Sequence, residues 1–101
     1  MIRVFYSPQI NDRYKVTYKI ENEVITAYLT DTFPEVAIET TDVFDFTNLT
    51  NGMAERVISD LAINPVRGVG REEGILYVEL INFIKDDATE FERYPEWIEV
   101  Y

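Results

Sequence analysis

The chain has 101 residues, 47% of them hydrophobic, with no His, no Cys and only two Ser, Ser7 and Ser59. Those absences exclude imidazole acid–base chemistry, thiol nucleophiles and the usual zinc ligand sets, so any catalysis would rest on carboxylates, Lys, Tyr or a hard metal ion. A net charge of −10 argues against a surface for DNA, RNA or anionic lipid, all of which require basic groups.

This length fits a single domain over residues 1–101, large enough to bury a core without a disulfide or metal staple. Seven Tyr, six Phe and one Trp, together with many β-branched residues, favour strands over helices. The charge is unevenly spread. Residues 1–30 carry four basic and three acidic side chains, whereas residues 31–101 carry five and sixteen. Met1-Ile2-Arg3 leads straight into a strand-like run, with neither the apolar stretch nor the cleavage site of a secretory signal. No apolar stretch is long enough to span a membrane. Asn48-Leu49-Thr50 fits the glycosylation pattern and is read as chance.

Ile2 to Tyr6 reads as the first strand, ended by Ser7-Pro8 because Pro has no N–H to donate to a ladder. Asn11-Asp12 marks a turn. Tyr14 to Ile20 alternates strictly, with Tyr14, Val16, Tyr18 and Ile20 on one face and Lys15, Thr17 and Lys19 on the other. That period of two predicts a half-buried antiparallel strand. After the polar break Glu21-Asn22-Glu23, Val24 to Thr30 is its hairpin partner. Arg13, Lys15 and Lys19 are expected near Glu21 and Glu23.

Asp31 to Pro34 is a second break. Glu35 to Thr41 alternates again, with Val36 and Ile38 on one face. Asp42 to Phe46 continues the pattern, Phe44 and Phe46 pointing one way and Val43 and Asp45 the other. Thr47 to Gly52 is a turn cluster. Met53 to Leu61 has Met53, Val57 and Leu61 at helical spacing but the strand formers Val57-Ile58 within it, and is read as an irregular or strand-like crossing. Asn64-Pro65 punctuates the chain. Val66 to Gly70 then leads into a hairpin turn with Gly74 in the left-handed region. Ile75 to Ile84 is apolar on both faces and is the expected central strand.

From Lys85 on the character changes. Residues 86–101 hold six acidic side chains against one base, Arg93. Asp87 is placed to cap a single helical turn. Phe91, Tyr94, Trp97 and Ile98 give the acidic segment 85–101 an apolar side, which must pack either on the protein's own sheet or on a partner.

No constellation in the chain carries chemistry. Asp42 with Asp45, and Asp86 with Asp87, are carboxylate pairs of the kind used for acid–base work or hard cations, but no calcium-loop pattern surrounds them. They read as solvated acids. Gly68-Val69-Gly70 lacks the third glycine of a dinucleotide loop, since Glu73 stands there, and reads as a flexible hairpin. Phe91, Tyr94 and Trp97, spaced by three, are the candidate partner-binding residues because they match the aromatic anchors of an interface. No catalytic, metal-ligating or cofactor-binding residue is assigned, and no cofactor is expected.

Several stretches carry a family resemblance. They are Val4 to Gln9, Asp42 to Phe46, Asn64-Pro65-Val66, Gly74 to Phe83, and Asp87-Ala88-Thr89 with Pro95-Glu96-Trp97. Together they resemble small uncharacterised proteins of tailed phages and prophages of Gram-positive bacteria, encoded near tail or baseplate genes. Phe33 to Thr41 and Met53 to Ala62 lie outside that likeness. The resemblance implies a setting, the host cytoplasm or the virion, and transfers no catalytic residues. The expected fold is mainly β, a small antiparallel sheet or sandwich of six or seven strands with at most a short helix. The expected function is a non-enzymatic accessory protein that binds a tail-module protein or a second copy of itself. The alternative is an acidic nucleic-acid mimic that inhibits a host DNA-binding protein.

Overall fold

A computed structural model describes residues 2–100, so the two ends of the expected 1–101 domain lie outside the described residues. In chain order the elements are β1 (Ile2–Ile10), β2 (Tyr14–Glu21), β3 (Val24–Asp31), β4 (Ile38–Asp45), β5 (Gly52–Met53), β6 (Val66–Glu72), β7 (Ile75–Ile84), α1 (Glu90–Arg93) and β8 (Ile98–Val100). One sheet has the order β5-β6-β7-β1-β8 and the other β2-β3-β4. The protein is therefore mainly β with one short helix. It has eight strands among the described residues, where the sequence suggested six or seven.

The larger sheet is not purely antiparallel. β1 pairs with β7 in parallel, from Ile2↔Leu76 to Ile10↔Ile84. A parallel pair needs a long crossover, and here the whole three-stranded sheet, β5 and β6 lie within it. As expected, β7 sits at the centre of its sheet. Strand β1 runs on through Pro8 instead of stopping at Ser7-Pro8. On its other flank β8 covers only Ile2 to Val4, so Pro8 lies where no ladder bond is required on that side.

The β2–β3 hairpin matches its alternation, with Glu21↔Val24 closing a two-residue turn in which Asn22 takes φ 54°. Ile25, Ala27 and Leu29 of β3 are buried. Phe44 and Phe46 point inward and stack with centroids 6.3 Å apart, while Val43 points out. Val36, which precedes β4, and Ile38, its first residue, are both exposed. After β5 the chain crosses without regular structure, burying Leu61 and leaving Ile58 in solvent. The β6–β7 turn places Glu73 and Gly74 at φ 52° and 81°, both in the left-handed region that a two-residue hairpin of this hand requires.

Ile2, Val4, Leu76, Val78 and Leu80 of the larger sheet meet Ile25, Ala27, Leu29 and Phe44 of the smaller in one apolar cluster. Two polar contacts tie the sheets together. The Tyr18 hydroxyl donates to the Ile81 carbonyl, and burial pushes its ionisation well above the ordinary tyrosine range. Arg71 on β6 reaches Glu23 at the β2–β3 turn through two bonds of 2.7 and 2.9 Å. That partner replaces the one expected for Glu23. Arg13, too, pairs elsewhere, with Asp31 at 2.9 Å, because the register sets Tyr14 opposite Asp31 at the hairpin's open end. Lys19 does pair with Glu21, at 3.0 Å.

Helix α1 is capped by Thr89 and not by Asp87. The Thr89 hydroxyl accepts from the Glu92 N–H at 3.2 Å and the Glu92 carboxylate accepts from the Thr89 N–H at 3.0 Å. This reciprocal pair requires an acid three residues after the cap, and Glu92 stands at that distance from Thr89. Arg93 donates back to the Asp86 carbonyl and closes the turn. Among the described residues no helix is long and apolar enough to cross a membrane.

Candidate functional site

Side chains alternate across the larger sheet. Ile2, Val4, Leu76 and Val78 face the core, so Arg3, Phe5, Tyr77 and Glu79 face outward. Strand β8 adds antiparallel to β1 with Arg3↔Glu99 and Val4↔Ile98. One step further along that register, Trp97 lies over Phe5, with ring centroids 5.5 Å apart. The same indole meets Tyr77 edge-on at 5.7 Å. Arg3 lies over the Tyr77 ring, its guanidinium carbon 5.5 Å from the centroid. It donates to the Tyr77 hydroxyl at 3.0 Å and to the Glu99 carboxylate at 3.2 Å.

Beside this cluster runs an open groove of about 580 Å³. Its floor is backbone, because Gly68 and Gly70 stand opposite Glu79 and Tyr77 in the β6–β7 ladder. A Cβ on Gly68 would meet nothing within 4 Å, whereas one on Gly70 would lie 2.5 Å from the Met53 sulfur. Met53 thus lies over Gly70 and forms one wall, and Trp97 forms the other. A β-bulge between Val66 and Gly68 bends the strand at this point. Glycines within a strand mark close approach of another group to the backbone, and here they leave a trough where side chains would otherwise stand.

The groove is apolar with acidic margins. Glu72, Glu73 and Glu79 line it, and none has a hydrogen-bond or ion-pair partner among the described residues. Arg71 also lines it, but all its donors are in use. Beyond Glu23, it donates to the carbonyls of Leu49 at 2.6 Å, Phe46 at 3.0 Å and Gly74 at 3.0 Å. The Arg71 hydrogen bond holds the Glu23 carboxyl below the usual range and raises Arg71 in turn.

Of the three residues singled out by spacing, only Trp97 enters this groove. Phe91 lines a second cavity of about 300 Å³ with Tyr6, Tyr18 and Pro95, at the mouth between the two sheets. Tyr94, the α1 C-cap, is exposed and lines neither. Helix α1 ends at Arg93 with Tyr94 as its C-cap, so spacing by three does not place Phe91 and Trp97 on one helical face. Gly68, Gly70, Phe5, Tyr77, Met53 and Glu79 were not singled out as a site. The Gly-Val-Gly spacing on a strand was the available signal, since it puts both glycines on one face.

Of the carboxylate pairs, Asp42 and Asp45 do structural work, while the Asp86 and Asp87 carboxylates make no side-chain bond among the described residues. Asp42 accepts from the Ser59 hydroxyl at 2.9 Å and the Asp60 N–H at 3.0 Å, fixing the crossing segment to β4. Asp45 accepts from the Thr47 N–H at 3.0 Å and its hydroxyl at 2.6 Å, shaping the turn after β4. Among the described residues no group of three or more His, Cys, Asp or Glu is placed to hold a metal ion. Fold and site together define a two-sheet β protein with an acidic, aromatic-walled groove on its outer face. No protein-family model, curated protein or solved structure matches the chain.

Proposed function

We propose that this chain is a non-enzymatic binding module that holds a segment of another protein on the outer face of its larger sheet. The observation that carries this reading is the glycine-floored groove beside Trp97, a residue that remains 49% exposed although its ring packs on Phe5 and Tyr77. An amphipathic ring on a rigid support is the usual anchor of a protein interface. The groove's charged groups are carboxylates without a base to work with and an arginine already saturated, which suits recognition better than turnover. Phe91 and Tyr94, both exposed, offer further contact area on the C-terminal side. The likeness to tailed-phage and prophage proteins supplies the setting: the partner is a tail or baseplate component, with a second copy of this chain as the other occupant to test.

Capture of tagged protein from host lysate tests this reading, at low and high salt, with wild type beside Trp97→Ala and Gly68→Val. The second variant adds bulk to the trough at a position where a Cβ meets nothing within 4 Å. Recovery of a tail or baseplate protein that high salt weakens but does not abolish, and that is lost with both variants, is the expected result. Recovery of a basic DNA-binding protein, lost at high salt and retained by both variants, would replace the module with the nucleic-acid mimic.

A further inference from the structure

We infer that the groove beside Trp97 takes a cationic side chain, Lys or Arg, carried between apolar residues on the partner segment. This inference rests on the binding-module reading and names the chemistry of its occupant.

The argument starts from Glu79. It projects from the central strand onto the groove floor opposite Gly68, is half-buried, and has no partner among the described residues. A carboxylate partly withdrawn from water without a counter-charge is unfavourable, and a cation arriving at that place offsets the cost. Glu72 and Glu73 stand at the margin and are likewise unpaired. The one cation in the lining, Arg71, spends its donors on Glu23 and three carbonyls, so nothing in the groove would hold an anionic guest. The walls add to this preference. Tyr77 and Trp97 present ring surface to the cavity, and aromatic faces attract ammonium and guanidinium groups.

The protein already contains one such arrangement. Arg3 lies over the Tyr77 ring and pairs with Glu99. The groove repeats the pattern without a free cation: aromatic walls, a carboxylate, and an arginine whose donors are already spent. The glycine floor lets the backbone of an extended segment come close, and about 580 Å³ accommodates a long cationic side chain with its apolar neighbours. The chain's charge of −10 draws such a segment in over a longer range.

The test uses three acetylated, amidated pentapeptides that carry arginine, glutamine or glutamate between leucines. Each is titrated into the intact protein. Trp97 is the only tryptophan, so its emission reports from the groove wall. The arginine peptide is expected to bind about tenfold more tightly than the glutamine peptide, and the glutamate peptide more weakly still. In Glu79→Gln the advantage of arginine should fall below about threefold, with the melting temperature unchanged as the folding control. Gly68→Val should weaken all three alike. Equal binding of the arginine and glutamine peptides would overturn the inference while leaving the groove as a binding surface. A full arginine advantage in Glu79→Gln would overturn it too. If no peptide moved Trp97 emission at millimolar concentration, the inference would fall, and the capture experiment with Trp97→Ala would separately decide the module reading.

Discussion

Replacing Arg71 by Ala removes five hydrogen bonds at once. The guanidinium has five N–H donors, and each has an acceptor: two on Glu23 and one each on Leu49, Phe46 and Gly74. These bonds join β6 of the larger sheet to the β2–β3 turn of the smaller and to the loop after β4. The Arg71 side chain is 11% exposed and that of Glu23 21%. Removing one member of a buried ion pair costs about 3–5 kcal/mol, and partial contact with water lowers the expectation here to about 2–3 kcal/mol. For a domain of this size that is a fall in melting temperature of about 8–24 °C. Urea unfolding of Arg71→Ala, Glu23→Ala and the double variant would measure both the loss and the coupling. The two single losses should sum to more than the double loss by about 1–3 kcal/mol, because each removes the same contact. Lysine should rescue Arg71 only in part, since one ammonium cannot reach acceptors on three segments. A loss below about 1 kcal/mol in Arg71→Ala, or strict additivity, would refute the role assigned to this clamp.

The core prediction concerns Leu76, which is fully buried beside Ile2 on β1: Leu76→Ala should cost about 2–5 kcal/mol by urea unfolding. Gly68→Val should leave the melting temperature unchanged or raise it slightly, because its φ is ordinary and a Cβ there meets nothing; a large loss would show that the bulge requires glycine. Acid should weaken the fold. Arg71 lowers the Glu23 pKa; at Asp42 desolvation acts upward, but the bonds from Asp60, Ser59 and Val43 outweigh it. Both groups therefore bind protons less readily folded than unfolded, so their contribution is complete above the ordinary carboxylate range and lost as pH falls through the lowered values. Urea midpoints should be level above about pH 5 and drop below about pH 4. A midpoint that rose below pH 4 would contradict this assignment. At the alkaline end Tyr18 runs the other way: its raised pKa gives stability that is lost as pH climbs past the unfolded tyrosine value of about 10, which absorbance-monitored titration would show as ionisation coupled to unfolding.

Much of the local structure was legible from the chain alone. Tyr14 to Ile20 is a strand because Cβ atoms alternate across a pleated backbone, and a half-buried strand must write that period of two into its sequence. For the same reason Phe44 and Phe46 were readable as sharing one face with Val43 on the other, and the largely apolar run of β7 as central. Gly74 marked its own turn through the left-handed conformation it supplies. The aromatic character of the C-terminal segment was plain, but its disposition was not. Trp97 lies on the sheet's outer face only because β8 returns to β1, a pairing across 96 residues at Arg3 and Glu99, and Phe91 is carried to another cavity by the capped turn of α1.

The glycine floor shows the same division. Gly68 and Gly70 share one face of a strand by period alone, yet a bare strand face becomes a groove only when Met53 and Trp97, from opposite edges of the sheet, stand up on either side. Strand direction, sheet order and the partner of each charge depend on loop closure and packing summed over the whole chain. No window of sequence records that sum, which is why β1 could be read as a strand but not as the parallel neighbour of β7.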